Sequence, residues 1–314
     1  MMKFKCKILV TGCGGDIGQS IGKLLNNHVD DLYGIDISNK NAAQFIYNNF
    51  SLGERCTNEN FISFLTNFVQ KNKIDFIIPV SEPELRFFSE HNIHDNIGGA
   101  KLITASLFAL EIGFDKLKTA IFLKDNNLPF PKTQNVNEVD QLSFYPVILK
   151  SRTGSGSSQV YVVHDNETFQ YLKRVNSEFI VQEYLDDTHG EYTCGVFRSS
   201  KGEIRTIILK RELTGGFSGY GEVIIDNSIV SVLISIAEKL NLKGSINVQL
   251  RITSKGPVVF EINPRFSSTV LFRHLFGFKD VIWSIEDALG LPISKYTANA
   301  IGKKFYKGFN EYIS

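Results

Sequence analysis

The stretch Gly244–Ser268, GSINVQLRITSKGPVVFEINPRFSS, places the tightest constraint on how this chain can fold. Ile246–Thr253 alternates in character, and Pro257–Asn263 reads as a second strand. Between them Ser254-Lys255-Gly256 makes a three-residue loop ending in glycine, where a left-handed conformation is needed, so the stretch reads as a β-hairpin. Pairing symmetric about Lys255 sets Gln249 opposite Glu261. Alternate side chains share a face, so Asn247, Gln249 and Arg251 lie together, as do Glu261 and Asn263. Paired residues stand about 5 Å apart at Cβ. One carboxylate and two side-chain carbonyls then share a patch, with Arg265 just beyond. Hard oxygen donors, few in number and leaving room for phosphate oxygens, suit Mg²⁺ on a nucleotide. On geometry alone, an ordinary hairpin with a polar outer face fits the pattern equally well.

Asn-Val-Gln at 247–249, followed twelve residues after the Gln by Glu-Ile-Asn-Pro-Arg-Phe-Ser at 261–267, resembles the metal-binding strands of the ATP-grasp superfamily. It is most similar to the carbamoyl phosphate synthetase large-subunit version, which also has Gln where most relatives carry an acid. The resemblance implies Mg²⁺ ligands at Gln249, Glu261 and Asn263 and a phosphate contact from Arg265. Motifs match over most of Lys7 to Gly290.

The 314 residues suffice for two or three modules with their own cores. Lys and Arg number 34 and Asp and Glu 33, a net charge of +1, so nothing argues for a nucleic-acid or acidic-membrane partner. Cys6, Cys13, Cys56 and Cys194 show no metal or disulfide spacing, which fits a reducing cytoplasm. The opening KFKCKILVTG reads as a first strand rather than a signal peptide. No apolar run approaches the roughly 18 residues of a membrane span, and no internal repeat is visible.

In chain order, Lys7–Thr11 is a buried strand, Gly12–Gly18 a tight turn, and Gln19–Asn26 begins a helix. Strands at Leu32–Ile37 and Asp75–Val80 flank an amphipathic helix at Phe61–Lys71. Such alternation implies an open parallel sheet. The turn T-G-C-G-G-D-I-G matches the G-x-x-G-x-x-G of short-chain dehydrogenases and sugar-nucleotide epimerases, with Asp36 placed to hold a ribose. Those enzymes also share a Tyr-x-x-x-Lys, and none of the eleven tyrosines here has Lys four residues later. Glu82 and Glu84 follow a strand end, where ligands of parallel sheets sit. The plainer reading, that Glu84 caps a helix through Arg86–His91, is preferred.

Further on, Phe114-Asp115-Lys116 starts a helix running to Asn126, and two prolines then keep the chain extended. The strand Tyr145–Lys150 ends in a lysine and enters S-R-T-G-S-G-S-S. Lys150 can place a charge between phosphates, and the backbone N–H groups of Gly154–Ser158 can cradle phosphate oxygens. Strand alternation resumes at Gln159–Val163, which argues against a free linker. Strands follow at Glu178–Leu185 and Ile204–Leu213, the latter ending after Lys210-Arg211. Gly215–Gly221 is a second Gly-rich loop near the γ-phosphate or the acceptor, or its cations are simply solvated. Ser231–Leu240, Ser268–Phe276 and Asp280–Leu289 read as helices, and the tail GKKFYKGFNEYI as a strand closing the outer sheet.

The ATP-grasp resemblance assigns further roles. Lys116, with Lys118 as the weaker choice, reaches ATP phosphates. Lys150 and the Gly154, Ser155, Gly156 and Ser157 lid contact the nucleotide. Glu183, Tyr184 and Leu185 form the adenine hinge, and Glu191 binds the ribose hydroxyls. Arg273 points back toward the site to take a substrate carboxylate.

The expected fold class is α/β and α+β: a Rossmann-like pre-ATP-grasp domain over 1–110, then a two-lobed ATP-grasp fold with a small lobe at 111–185 and a C-terminal lobe at 186–314. Phosphate-binding cations and metal oxygens without a Ser-His-Asp arrangement suit phosphoryl transfer. The expected function is an ATP- and Mg²⁺-dependent (or Mn²⁺-dependent) ligase. It would join small-molecule carboxylates and amines through an acyl phosphate, with Arg265 and Lys150 at the transferred group. A homodimer through the first domain fits this architecture. The competing readings are a carbamoyl-phosphate-synthetase-like kinase for bicarbonate or carbamate, an NAD-dependent epimerase or reductase, and a non-catalytic nucleotide sensor.

Overall fold

A computed structural model describes residues 3–154, 159–308 and 310–313. The first sheet carries β1 (Phe4–Thr11), β2 (Val29–Asp36), β3 (Asn49–Leu52), β4 (Phe76–Pro79), β5 (Asn96–Ile97) and β6 (Ala100–Leu102), with α1 (Asp16–Leu25), α2 (Phe61–Asn72) and α3 (Glu82–Glu90) between them. Its order is β3-β2-β1-β4-β6-β5, parallel except for the β5–β6 pair. The order reverses between β1 and β4, and that is where open α/β sheets leave a crevice at their carboxyl ends. The central strands are near-continuous apolar runs because both faces are covered. Ile8 and Val10 pack with α1, and Leu9 and Ile77 with α2 and α3.

Helices α4 (Leu107–Gly113) and α5 (Lys116–Asp125) lead into a second, antiparallel sheet. It comprises β7 (Thr133–Asn135), β8 (Val147–Ser151), β9 (Val160–Val163) and β10 (Phe179–Glu183), backed by α6 (Asn166–Val175). The third sheet has β11 (Glu191–Arg198), β12 (Ile204–Thr214), β13 (Phe217–Ile224), β14 (Gly244–Thr253), β15 (Gly256–Asn263) and β16 (Lys304–Tyr306). Helix α7 (Asn227–Lys239) covers one face, and α8 (Val270–Leu275) and α9 (Asp280–Ala288) join the other face to the first sheet. Val270, Val281 and Ile285 are buried in the same cluster as β1 and α1, which fixes the third sheet against the first.

Several local expectations need correction. The first helix begins at Asp16, three residues early, because Gly15 is extended and the chain turns directly into the helix. Gly215–Gly221 is not a loop. It is a tight hairpin at Gly215-Gly216 followed by β13, and Gly221 is required there because a Cβ would come within 2.4 Å of Phe305 on β16. The expected tail strand is real over Lys304–Tyr306 and pairs with β13 at the sheet edge.

The hairpin itself closes more tightly than a three-residue loop. Thr253 pairs with Gly256, leaving Ser254 and Lys255 as the turn, with Gly256 at φ +96°. That register would set Gln249 against Phe260. A bulge between Leu250 and Gln249 restores the expected pairing, so Gln249 faces Glu261 and Asn247 faces Asn263. A bulge places an extra residue on one strand. As a result the consecutive residues Phe260 and Glu261 both line the same cavity.

Candidate active site

A cavity of about 640 Å³ lies where the three sheets meet. The third sheet supplies one wall. Val248 and Leu250 point into the core under α7, so the alternate residues Gln249 and Arg251 face the cavity. By the same period, Ile262 is core, and Glu261 and Asn263 line the wall. The second sheet supplies the facing wall. Val147 and Leu149 are packed against α6, which turns Ile148 and Lys150 toward the cavity. The far end is built by Gly12, Gly15–Gly18 and Ser81 at the crevice of the first sheet.

The cationic side is carefully anchored. Asp115 caps α5, accepting from the N–H groups of Leu117 and Lys118, and takes a two-pronged contact from Arg152. Against the effect of burial, the Arg152 contact and those N–H groups hold the Asp115 carboxyl below its ordinary pKa. The brace ties the start of α5 to the end of β8. It sets Lys116 at the cavity, with its Nζ donating to the Gly154 carbonyl at 2.7 Å. Lys150 is buried, its Nζ 5.6 Å from the centre of the Phe260 ring. Burial pushes its pKa down to about 8, against the pull of Glu261. A buried cation held by no hydrogen bond to a described residue, facing a cavity, is a place for an anion.

The carboxylate side is equally ordered. Glu191 is held between two arginines, Arg211 at 2.7 Å and Arg251 at 2.9 Å. Arg251 also donates to the Leu185 carbonyl, tying the third sheet to the segment after β10. Gln249 accepts from Arg211 at 2.7 Å. Arg265 lines the cavity and donates to the Phe266 carbonyl; burial lowers its pKa, opposed by Glu82 and Glu261.

Of the expected site residues, Lys116, Lys150, Gly154, Glu183, Leu185 and Glu191 share the cavity with Gln249, Glu261, Asn263 and Arg265. Tyr184 is not among the lining residues. Ser155, Gly156 and Ser157 lie outside the described residues. Lys118 turns away to pair with Glu111. Arg273 does not reach the cavity. It is fully buried on Asn247 and Thr193, with Gly195 leaving the room its guanidinium occupies. Glu84 is not the cap of its helix. Ser81 caps it, and Glu84 is buried accepting from Thr11 at 2.6 Å, with burial raising its pKa. Sequence reasoning missed Arg251 as a site residue, although its period-2 spacing from Gln249 was the available signal, and left Arg211 undecided.

The oxygen set fits a hard divalent ion. Among the described residues no group of three or more His, Cys, Asp or Glu is arranged around a metal. Glu261 with the amide oxygens of Gln249 and Asn263 offers few ligands, a donor set that needs phosphate oxygens to complete it. The first Gly-rich turn is differently built. Asp36 accepts from Gly14 N–H at 2.8 Å and Ser38 N–H at 3.1 Å, and Asn41 lies where a Cβ on Gly14 would be. The carboxylate that the rival dinucleotide reading would place on a ribose is thus committed inside the turn.

A pair of lysines, Lys116 and Lys150, faces an oxygen-lined hairpin across the cavity, between two antiparallel sheets. Residues 114–269 match the family model described as ATP-grasp domain, so this part of the chain is an ATP-grasp domain. It is similar to the carbamoyl phosphate synthase large chain of Archaeoglobus fulgidus, 24% identical over 228 residues, covering 66% of this chain and 20% of that one. The chain thus spans about a fifth of that relative's length. Among solved structures it is similar to N5-carboxyaminoimidazole synthetase from Staphylococcus aureus complexed with ADP. The TM-score is 0.74 at 17% identity, with 93% of this chain and 79% of that one covered. It is also similar to an L-amino acid ligase from Bacillus licheniformis, with TM-score 0.71 at 17% identity over 96% of this chain and 78% of that one. These likenesses give the fold as ATP-grasp. Among the described residues no helix is long and apolar enough to cross a membrane.

Proposed function

We propose that this chain is an ATP- and Mg²⁺-dependent carboxylate–amine ligase acting on small molecules. The observation that carries the reading is the single cavity that faces Lys116 and Lys150 with Gln249, Glu261 and Asn263, and opens at its far end on the crevice of the first sheet. Glu183 and Leu185 would hold adenine, and Glu191 the ribose. Lys116 and Lys150 would neutralise phosphate charge, which is most of what phosphoryl transfer asks of a protein. Gln249, Glu261 and Asn263 would hold Mg²⁺, or Mn²⁺ in its place, which would supply positive charge to offset that of the phosphates.

In the reaction, a carboxylate oxygen attacks the γ-phosphorus of ATP and ADP leaves. Arg265 neutralises charge on the acyl phosphate that results. An amine nitrogen then attacks the acyl carbon, phosphate departs, and the amine gives up a proton. The three sheets support a working division into 1–110, 111–185 and 186–314, with the acceptor entering from the first of these.

A second reading, a carbamoyl-phosphate-synthetase-like kinase for bicarbonate, draws on the Gln at 249 and the A. fulgidus relative. Release of ADP and phosphate separates the two. The ligase requires both an organic carboxylate and an amine, whereas the kinase runs on bicarbonate. Melting-temperature shifts with ADP·Mg²⁺, ATP·Mg²⁺ and NAD⁺ come first, because a ligand bound only by the folded state raises the melting point. A shift that needs Mg²⁺ and is absent with NAD⁺ is expected. A shift with NAD⁺ alone removes the reading.

A further inference from the structure

The two ends of the cavity differ in chemistry. The end assigned to the nucleotide is lined by lysines, carboxylates and amides, whereas toward the first sheet the lining includes Ile17, Val80, Leu213 and Phe217. The tip of the β12–β13 hairpin reaches that second end. Lys307 Nζ lies 5.4 Å from the centre of the Phe217 ring and 2.5 Å from Asp16, the first residue of α1. The ring is thereby brought beside the start of α1, where Ile17 also lines the cavity. Leu213 and Phe217 keep 46% and 49% of their exposure. Large apolar side chains left open singly need no explanation, but a group of them at the mouth of a cavity marks a surface that a ligand covers.

The charges at this end are mostly paired within the protein. Asp16 is held by Lys307, and Glu82 by Arg86. Arg265 is the exception. Among the described residues it makes no ion pair; Nη1 donates to the Phe266 carbonyl, and Glu82 and Glu261 act on it only from a distance. One cation with donors to spare therefore faces a surface that is otherwise apolar or already neutralised.

We propose that the carboxylate substrate has an uncharged, apolar body, which packs between Ile17 and the Leu213–Phe217 tip while its carboxylate faces Arg265. The proposal rests on the ligase reading, which places a carboxylate at Arg265, and it adds the class of acid. Hydrocarbon covered at this surface gains about fourfold in affinity for each methylene buried. A second charge on the body finds no free partner there, and a charge left unpaired in a partly buried place is costly. The site thus selects against dicarboxylates and phosphorylated acids. Bicarbonate has no body to bury, so the same surface favours the ligase over the bicarbonate kinase.

The test is a ligand-observed NMR titration of the protein saturated with ADP·Mg²⁺, using acetate, butyrate, hexanoate and adipate. Affinity should rise from acetate through butyrate to hexanoate by about fourfold for each methylene buried. Adipate, which is hexanoate with a second carboxylate at the far end, should bind at least about tenfold more weakly than hexanoate. Phe217→Ala should cut the hexanoate-to-acetate ratio several-fold, and Phe217→Leu, which keeps an apolar side chain, should restore part of it. Damage to the fold alone would weaken every acid together and leave that ratio where it was. The proposal is overturned by a wild type that binds acetate as well as hexanoate, binds neither, or binds adipate best. A folded Phe217→Ala with the wild-type ratio overturns it too. If Phe217→Ala fails to fold, Leu213→Ala takes its place, and an unchanged ratio there has the same consequence. A wild type that does not bind ADP·Mg²⁺ removes the ligase reading, and this inference with it. ADP·Mg²⁺ bound beside a flat acid series removes the class of acid alone.

Discussion

Two parts of this chain carry the sequence marks of a nucleotide site, the Gly12–Gly18 turn and the Gly244–Ser268 hairpin, and the fold brings both to one cavity. They differ in what their polar groups are already doing. In the turn, Asp36 is spent on Gly14 and Ser38, Glu84 on Thr11, and Asp16 on Lys307. Across the cavity, Lys150 is buried facing Glu261 from too far for a hydrogen bond, and its pKa has fallen to about 8. The first arrangement is satisfied from within and stabilises the fold. The second leaves a buried cation with no hydrogen bond to a described residue, the state an anion would complete. A glycine motif reports that a backbone can approach something; only the state of the surrounding charges tells whether that something is a ligand or the protein itself.

The comparison is most exposed to failure at Glu261. Replacing it with Ala removes the only carboxylate of the assigned metal set, and turnover should fall by at least 10²–10³, the usual cost of losing one group that stabilises developing charge. Unchanged ADP release by Glu261→Ala would sink the assignment. The counterpart in the turn is Asp36→Ala. It strips the acceptor from two backbone N–H groups and should cost about 2 kcal/mol of stability, because bonds to a charged acceptor exceed ordinary ones. Denaturant melts read that loss. ADP affinity measured on the folded fraction should not move, and a variant that stayed stable but lost ADP would show the turn to be a working nucleotide site.

The difference between the two regions was only partly legible in the sequence. The pairing of Gln249 with Glu261 was readable because strand alternation fixes the face, yet it was reached through two compensating departures, a shorter turn and a bulge. Sequence shows neither, since a shorter turn and a bulge together leave the alternation of both strands near Gln249 and Glu261 unchanged. β13 was hidden by its glycines, one of which, Gly221, lets Phe305 approach from a strand more than eighty residues away. The fate of Arg273 was decided by a glycine on another strand, Gly195, and by the burial of α8 on the first sheet. Arg211 could not be placed because its three partners come from β11, β13 and β14. Motifs carried the local chemistry, and long-range packing settled which charges were free to use it.

Acidity offers a gentler probe. With its pKa lowered from 10.5 to about 8, Lys150 is charged below pH 8 and neutral above it. Phosphate prefers the charged form, so metal-free ADP should bind most tightly below pH 8 and weaken by up to about tenfold per pH unit above it. Stability of the free protein should run the other way. Between pH 8 and 10.5 the unfolded chain holds more protons at this lysine than the folded one, so this group's contribution to stability rises with pH. Lys150→Met should flatten both trends. Titration calorimetry and melts at several pH values would show them, and parallel rather than opposed trends would contradict the assignment.

The smallest effect is expected where the tail meets the turn. Lys307 pairs with Asp16 at 2.5 Å and lies over the Phe217 ring, while further along Tyr312 stacks on Phe45. The side chains of Lys307 and Asp16 retain 16% and 28% of their exposure, so water screens part of the attraction. Pairs of this kind contribute about 0–1 kcal/mol. Lys307→Met keeps the stem against Phe217 and removes only the charge. It should therefore lower stability by no more than about 1 kcal/mol, by the same measure, and leave ADP·Mg²⁺ affinity alone. A loss well beyond that, or a change in nucleotide affinity, would mean that the tail holds the first sheet against the third and that the turn is not self-contained. The two regions would then have to be treated as one site closed by the end of the chain.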